Sequence, residues 1–225
     1  MVTTARKSAP SRRKMRRRPG RPAGEAPGLR NRVLDAALEH YADHGIARAS
    51  MRAVAAAAGV TPALIGYYFG GRDALLQAVV EERLLPAISA LREPLAASGN
   101  ADALNLVAAF VRAVHELVRS HPWLPRLWVR EFLLEGGALR DMILTRFASQ
   151  IPQALAARFA VARKQGTLNP ALDPRLLVVS VIGLTLFPLA AQPIWRRAFD
   201  ASDIDDAALQ RHTQALLQQA LEPSR

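Results

Sequence analysis

The stretch Pro122 to Glu135 sets a carboxylate among rings. Trp123, Leu124, Leu127, Trp128, Phe132, Leu133 and Leu134 provide a broad apolar surface, and Glu131 lies one helical turn from both Leu127 and Leu134. A carboxylate on an apolar stripe needs a partner, because an unpaired buried charge is costly. Either a cationic or hydrogen-bonding ligand supplies it, or an arginine of the chain does, with Arg126, Arg130 and Arg112 as candidates. On the first reading Trp123, Trp128, Glu131 and Phe132, with Phe110 and Met142 nearby, line a small-molecule pocket. On the second they are ordinary core around an internal ion pair.

Other chemistry is thinly supplied. The chain has no cysteine, which rules out disulfides, thiolate metal sites and cysteine nucleophiles and fits a reducing cytoplasm. His40 and His44 are four apart, but no third ligand is suggested and His44 suits a helix C-terminus. His115, His121 and His212 are isolated, and Gly70-Gly71 fits a helix junction better than a phosphate cradle. No catalytic residue, cofactor or metal is therefore expected.

The charge is unevenly placed. Of the net +11 carried by 225 residues, +8 falls in residues 1–28, leaving +3 for the rest. That segment is rich in Arg, Pro, Gly, Ser and Ala, so it buries too little apolar surface to offset ordering entropy and reads as a disordered basic arm. No apolar segment follows the basic start, as a signal peptide would require. Within the arm, RRRPGRPAG (Arg16 to Gly24) resembles the Arg-Gly-Arg-Pro core of minor-groove AT-hook arms, with Pro19 interrupting the usual Arg-Gly step. Arg18 and Arg21 are its candidate DNA contacts, since a narrow A·T-rich minor groove attracts arginine. The alternative is a solvated tail with no fixed contacts.

The elements that would position such contacts lie just downstream, in SMRAVAAAAGVTPALIGYYFGGRDALL (Ser50 to Leu76). Ser50 is a good N-cap for a helix beginning at Met51. A run of alanines after it permits close helix approach, and Gly59 closes the helix. Thr61-Pro62 is a second start signal, an N-cap followed by proline at the first helical position. Two helices separated by about three residues form a helix-turn-helix. Upstream, Val33, Leu34, Ala37, Leu38 and Tyr41 repeat at helical spacing and should cover it. The helix from Asp73 to about Leu85 then leads toward a kink or break at Pro86.

The small residue Ala55, the turn glycine Gly59 and the branched Ile65, with the first helix LRNRVLDAALEHYADHG and the junction YYFGGRDALL, resemble the DNA-binding domain of TetR/AcrR-type transcriptional regulators from about Leu29 to Leu84. The resemblance implies an all-α fold, with an N-terminal three-helix helix-turn-helix domain (29–85) and a C-terminal helical ligand-binding and dimerisation domain (86–225). It implies a homodimeric cytoplasmic regulator, most often a repressor, that binds a pseudo-palindromic double-stranded DNA operator and responds to a small-molecule effector. By resemblance, Ser50, Arg52, Thr61, Tyr67, Tyr68 and Arg72 contact phosphates, whereas Ala63, Leu64, Gly66 and Tyr67 meet base edges. The family often carries a polar or aromatic side chain where this chain has Gly66, so direct readout looks sparse. Phe69 is assigned to core.

From Ala101 onward the pattern is helical, with no alternating run to suggest a sheet. Leu176 to Trp195 contains twenty uncharged residues, which meets the length of a membrane span. Pro188, Pro193, Gln192, Ser180 and Thr185 favour instead a helix buried at a subunit interface. By resemblance two helices, Pro174 to Trp195 and Asp203 to Leu221, form a four-helix dimer contact, with no membrane involved. Against the regulator stands a second class, a nonspecific architectural DNA binder driven by the tail.

Overall fold

The computed structural model describes residues 28–97, 102–134, 136–140, 142 and 150–223. The basic arm, with Arg18 and Arg21, lies outside them. All regular elements among the described residues are helical.

The reading head is built from short helices with local start and stop signals. Helix α1 (Leu29–His44) buries Val33, Leu34, Ala37, Leu38 and Tyr41, one stripe at helical spacing. Helix α2 (Met51–Ala58) starts at Ser50, whose hydroxyl oxygen accepts from the Ala53 N–H at 3.1 Å. It ends at Gly59, whose N–H returns to the carbonyls of Ala55 and Ala56. Helix α3 (Pro62–Phe69) repeats the device: Thr61 Oγ1 accepts from the Leu64 N–H at 3.3 Å, and Pro62 opens the first turn. Ile65 is fully buried and pins α3 to the head, with Phe69 partly buried against the same core.

Helix α4 (Arg72–Val79) passes into a π-helical turn, Val80–Leu84, and then into α5 (Leu85–Ser89). The expected break at Pro86 thus takes the form of a widened turn. Proline has no N–H to donate, and the Leu85 N–H bonds back five residues to Val80 O. Arg83 reaches across to Asp35 at 2.6 Å and Asn31 at 3.0 Å, and Arg30 pairs with Glu82, so α1 is tied to this turn.

The body follows with α6 (Arg92–Ala97), α7 (Ala103–Ser120), α8 (Leu124–Trp128), a second π turn (Val129–Leu133), α9 (Gln150–Lys164), α10 (Pro174–Ala190), α11 (Gln192–Ala198) and α12 (Asp206–Leu221). Aspartate caps recur: Asp102, Asp173 and Asp205 accept first-turn N–H groups of α7, α10 and α12. Asp173 also pairs with the Arg175 side chain, and these bonds hold its carboxyl far below the usual carboxylate range. The single helix expected over Pro174 to Trp195 stops at Ala190, and the chain bends by 69° before α11. Pro193 lacks the N–H that would carry the ladder through, and Trp195 Nε1 folds back to the Pro188 carbonyl at 2.8 Å. No single described helix is long and apolar enough to cross a membrane, though the bent pair passes on length and composition.

Two apolar cores result. One lies between α7, α9, α10 and α12 and is centred on Phe159, Leu168, Val181 and Leu217. The other begins in the head with Val33, Leu34, Ile65 and Leu75 and continues without interruption into Leu117, Trp123, Leu124 and Leu127. Head and body therefore share packing. Ser50→Ala and Thr61→Ala should each cost about 1 kcal/mol, and Phe159→Ala, at a site 1% exposed, about 3–5 kcal/mol. Urea unfolding at fixed protein concentration checks all three.

Candidate nucleic-acid interface and effector cavity

With Ile65 turned inward, the opposite side of α3 faces outward. Ala63, Gly66 and Tyr67 are exposed there, and Leu64 and Tyr68 are half-buried. Tyr67 is 80% exposed, and its ring meets Tyr68 edge-on with centroids 5.5 Å apart. A β-carbon at Gly66 would enter open space, so neither packing nor backbone conformation requires glycine there. Ser50 and Thr61 spend their oxygens as caps but keep O–H groups that can donate to an anion, and Arg52 is exposed on α2. All three are exposed, and they are of the kinds that bind phosphates: hydroxyls at helix N-termini and a guanidinium.

Arg72 is differently used. Its Nη2 donates to the carbonyls of Ile46 at 2.6 Å and Ala47 at 3.0 Å, so one end of the guanidinium holds the turn between α1 and α2. Its expected phosphate contact would have to come from the rest of the fork.

A second feature lies in the body. A cavity of about 630 Å³ opens between α5, α7, α8, α9 and α10 and is walled by Ile88, Phe110, Trp128, Phe132, Ile151 and Ile182, among others. Its described polar lining side chains are Gln153 and Arg175, the latter already paired with Asp173 at 2.9 Å. Such a wall favours an apolar occupant, because a polar one would lose hydration without replacement hydrogen bonds.

Three of the six residues expected in a pocket line this cavity: Phe110, Trp128 and Phe132. The other three do not. Trp123 immediately precedes α8 and turns toward the head, with its ring edge-on to His121 at 5.4 Å. Met142 packs against the head-side core. Glu131, 4% exposed, points away from the cavity. Neighbouring residues of a helix point about 100° apart, so Phe132 lines the cavity while Glu131 beside it faces the head.

Among the described residues no arginine pairs with Glu131. One carboxylate oxygen accepts from the Ile46 N–H at 2.9 Å and the other from the Ala138 N–H at 3.0 Å. Arg126 pairs instead with Asp43 and, at 3.0 Å, with Glu39 on α1. Gly45 makes room for this contact. Its φ of 86° is left-handed, and a β-carbon there would stand 3.2 Å from both Glu131 Oε1 and Arg130 Cδ. The sequence marks Glu131 as needing a partner, but a backbone N–H 85 residues away carries no signature. The cavity residues Ile88, Ile151 and Ile182 escape sequence reasoning for a similar reason, since isoleucine at helical spacing looks the same beside a cavity or in a filled core.

His40 and His44 stack with ring centroids 4.4 Å apart, and burial with the neighbouring His44 lowers the His40 pKa. Among the described residues no group of three or more His, Asp or Glu side chains could hold a metal ion.

The chain matches known families over most of its length. Residues 33–79 match the bacterial regulatory proteins of the tetR family, and residues 104–220 match the tetracyclin repressor-like C-terminal domain. Among curated proteins, the HTH-type transcriptional regulator UidR of Escherichia coli (strain K12) is 27% identical over 180 residues, covering 77% of this chain and 88% of UidR. Among solved structures, the ketosteroid transcriptional regulator KstR2 of Mycobacterium tuberculosis superposes with a TM-score of 0.69 at 16% identity, covering 91% of this chain and 100% of that one. A TetR-like transcriptional regulator from Rhodococcus sp. RHA1 gives 0.65 at 18% identity, covering 87% and 97%. At these identities the two structures share the fold. With both the helix-turn-helix and the helical body matched, the chain belongs to the TetR family of bacterial transcriptional regulators, which are DNA-binding proteins and not enzymes.

Proposed function

We propose that the protein is a cytoplasmic, homodimeric repressor that binds a pseudo-palindromic operator through α3 and releases it when an apolar small molecule occupies the body cavity. The observation that carries the DNA half is α3 itself, fixed from beneath by Ile65, which is 0% exposed, while Tyr67 stands 80% exposed on the other side. From that position the Tyr67 ring and hydroxyl can meet thymine methyls and base edges in a major groove. The cavity of about 630 Å³ with its apolar wall supports the effector half.

The dimer is supported by a second exposed surface. Leu176, Val179, Leu184 and Phe187 recur along one side of α10, with exposures of 66%, 65%, 42% and 65%, and Leu216 on α12 is 47% exposed. Leu177, Val181 and Leu189 of α10 and Leu209, Leu217 and Leu221 of α12 face the core. Two copies meeting through these faces would form a four-helix contact and set two heads to enter successive major grooves, about 34–36 Å apart. Footprinting on DNA around the protein's own gene tests the reading: one symmetric protected site is expected, and diffuse protection would favour the architectural alternative.

Three further outcomes follow from named residues. Tyr67→Ala should leave unfolding within about 0.5 kcal/mol of wild type yet weaken operator binding by about 1–3 kcal/mol, read by fluorescence anisotropy. Phe187→Glu should shift the sedimenting species from twice the 24.5 kDa chain mass to the single chain. Deleting residues 2–24, which carry nine of the cationic side chains, should lower the slope of log affinity against log salt by about 0.9 for each phosphate that the arm neutralises.

A further inference from the structure

The second π turn faces two ways. Phe132, with Trp128 just before the turn, forms cavity wall, while Glu131 between them turns its carboxylate to the Ile46 N–H of the reading head. Five residues, Val129–Leu133, thus touch both the cavity and the head. We propose that Glu131 is the positioning residue that fixes the head against the body, and that an occupant of the cavity acts on the head by displacing Phe132 and, with it, the Glu131–Ile46 hydrogen bond. This rests on the cavity being the effector site.

The geometry around Glu131 is built to hold it in one place. Its two oxygens serve two different backbone donors, Ile46 from the head and Ala138 from the loop after the π turn. Hydrogen bonds to an ionised acceptor are stronger than neutral ones, and here the Ile46 bond is buried and the Ala138 bond partly so. The loop closes over the turn through Gly137, where a β-carbon would overlap the Glu131 carbonyl, so glycine is required by that close approach. On the head side, Gly45 lies against Glu131 Oε1. The other described polar contact between α8 and α1 is the Arg126 pair with Asp43 and Glu39, about half exposed. Exposed ion pairs of that kind contribute little. The buried carboxylate is therefore the polar contact that a displaced cavity wall would break.

The head end of the link is equally fixed. The Ile46 N–H goes to Glu131 and its carbonyl to Arg72 at the start of α4, so one residue joins the body, the α1–α2 turn and α4. A shift of about an ångström at Glu131 would break a hydrogen bond whose strength falls steeply with distance and angle. Because α2 and α3 follow this turn directly, their orientation relative to the body, and hence the separation of two heads in a dimer, changes with it.

The test uses the full-length dimer, DNA carrying its footprinted site and the neutral apolar fluorophore N-phenyl-1-naphthylamine as occupant. In wild type, saturating probe should speed hydrogen exchange at the Ile46 and Ala138 amides by about tenfold or more and weaken DNA binding. In Glu131→Ala, which removes both acceptors, Ile46 exchange should already be about tenfold faster without probe. Probe affinity should stay within about twofold of wild type, because Glu131 does not line the cavity, while the effect of probe on DNA affinity falls below about twofold. Unchanged exchange at both amides in probe-saturated wild type overturns the coupling and needs no variant. Wild-type Ile46 exchange in Glu131→Ala overturns the positioning role. Failure of the probe to bind the cavity would count against the effector reading itself, and Ile46 exchange in the unliganded variant would still decide whether Glu131 positions the head.

Discussion

Ile46 has its peptide groups held from two directions. Its N–H is taken by Glu131 of the body and its carbonyl by Arg72 at the head of α4. Between these contacts lies the turn that launches α2 and α3, so the position of the DNA-facing surface is set where three segments distant in sequence converge. Gly45 supplies the backbone conformation and the clearance this convergence needs. Each element of the head has its own cap and anchor, but its placement on the body depends on this turn.

The apolar packing has the same logic. The core that holds Ile65 and Leu75 in the head is continuous with Leu117, Leu124 and Leu127 in the body. Burial of that kind is non-directional and tolerates small adjustments, whereas a two-oxygen carboxylate contact with two N–H groups does not. The two π turns lie where this combination matters, each contributing to the cavity wall, Leu84 from one and Phe132 from the other. A π turn carries fewer optimal hydrogen bonds than an α-helix and often marks a functional position. Here Glu131 and Phe132, adjacent on the second π turn, serve different sites.

The parts legible in the sequence are those whose information lies within a few residues. Ser50, Thr61 and Pro62 act on N–H groups one turn away, and all three sit where the cap signals put them. Pro174 likewise opens α10 where the sequence begins that helix. What could not be read depends on distance or on a change of helical period. The Glu131 partner is a backbone group 85 residues away, so no arginine near it in sequence could stand in for that partner. Trp123 and Trp128 belong to one aromatic-rich stretch in the sequence, but Trp123 precedes the helix start at Leu124 and packs with the head-side core, whereas Trp128 at the end of α8 lines the cavity. The uncharged run from Leu176 to Trp195 hid a break at Ala191, because apolar composition says nothing about where a proline interrupts a ladder. Its division into a core-facing and an outward-facing side is visible only once burial is known.

In the proposed function, a pair of α3 helices reads a symmetric stretch of duplex DNA. Selection from random duplex DNA by the full-length protein, followed by sequencing of the retained pool, tests this most directly. Enrichment of one motif with two inverted half-sites, centred about one helical turn apart, is the predicted result. A retained pool with no sequence preference, or a single asymmetric motif, would contradict it.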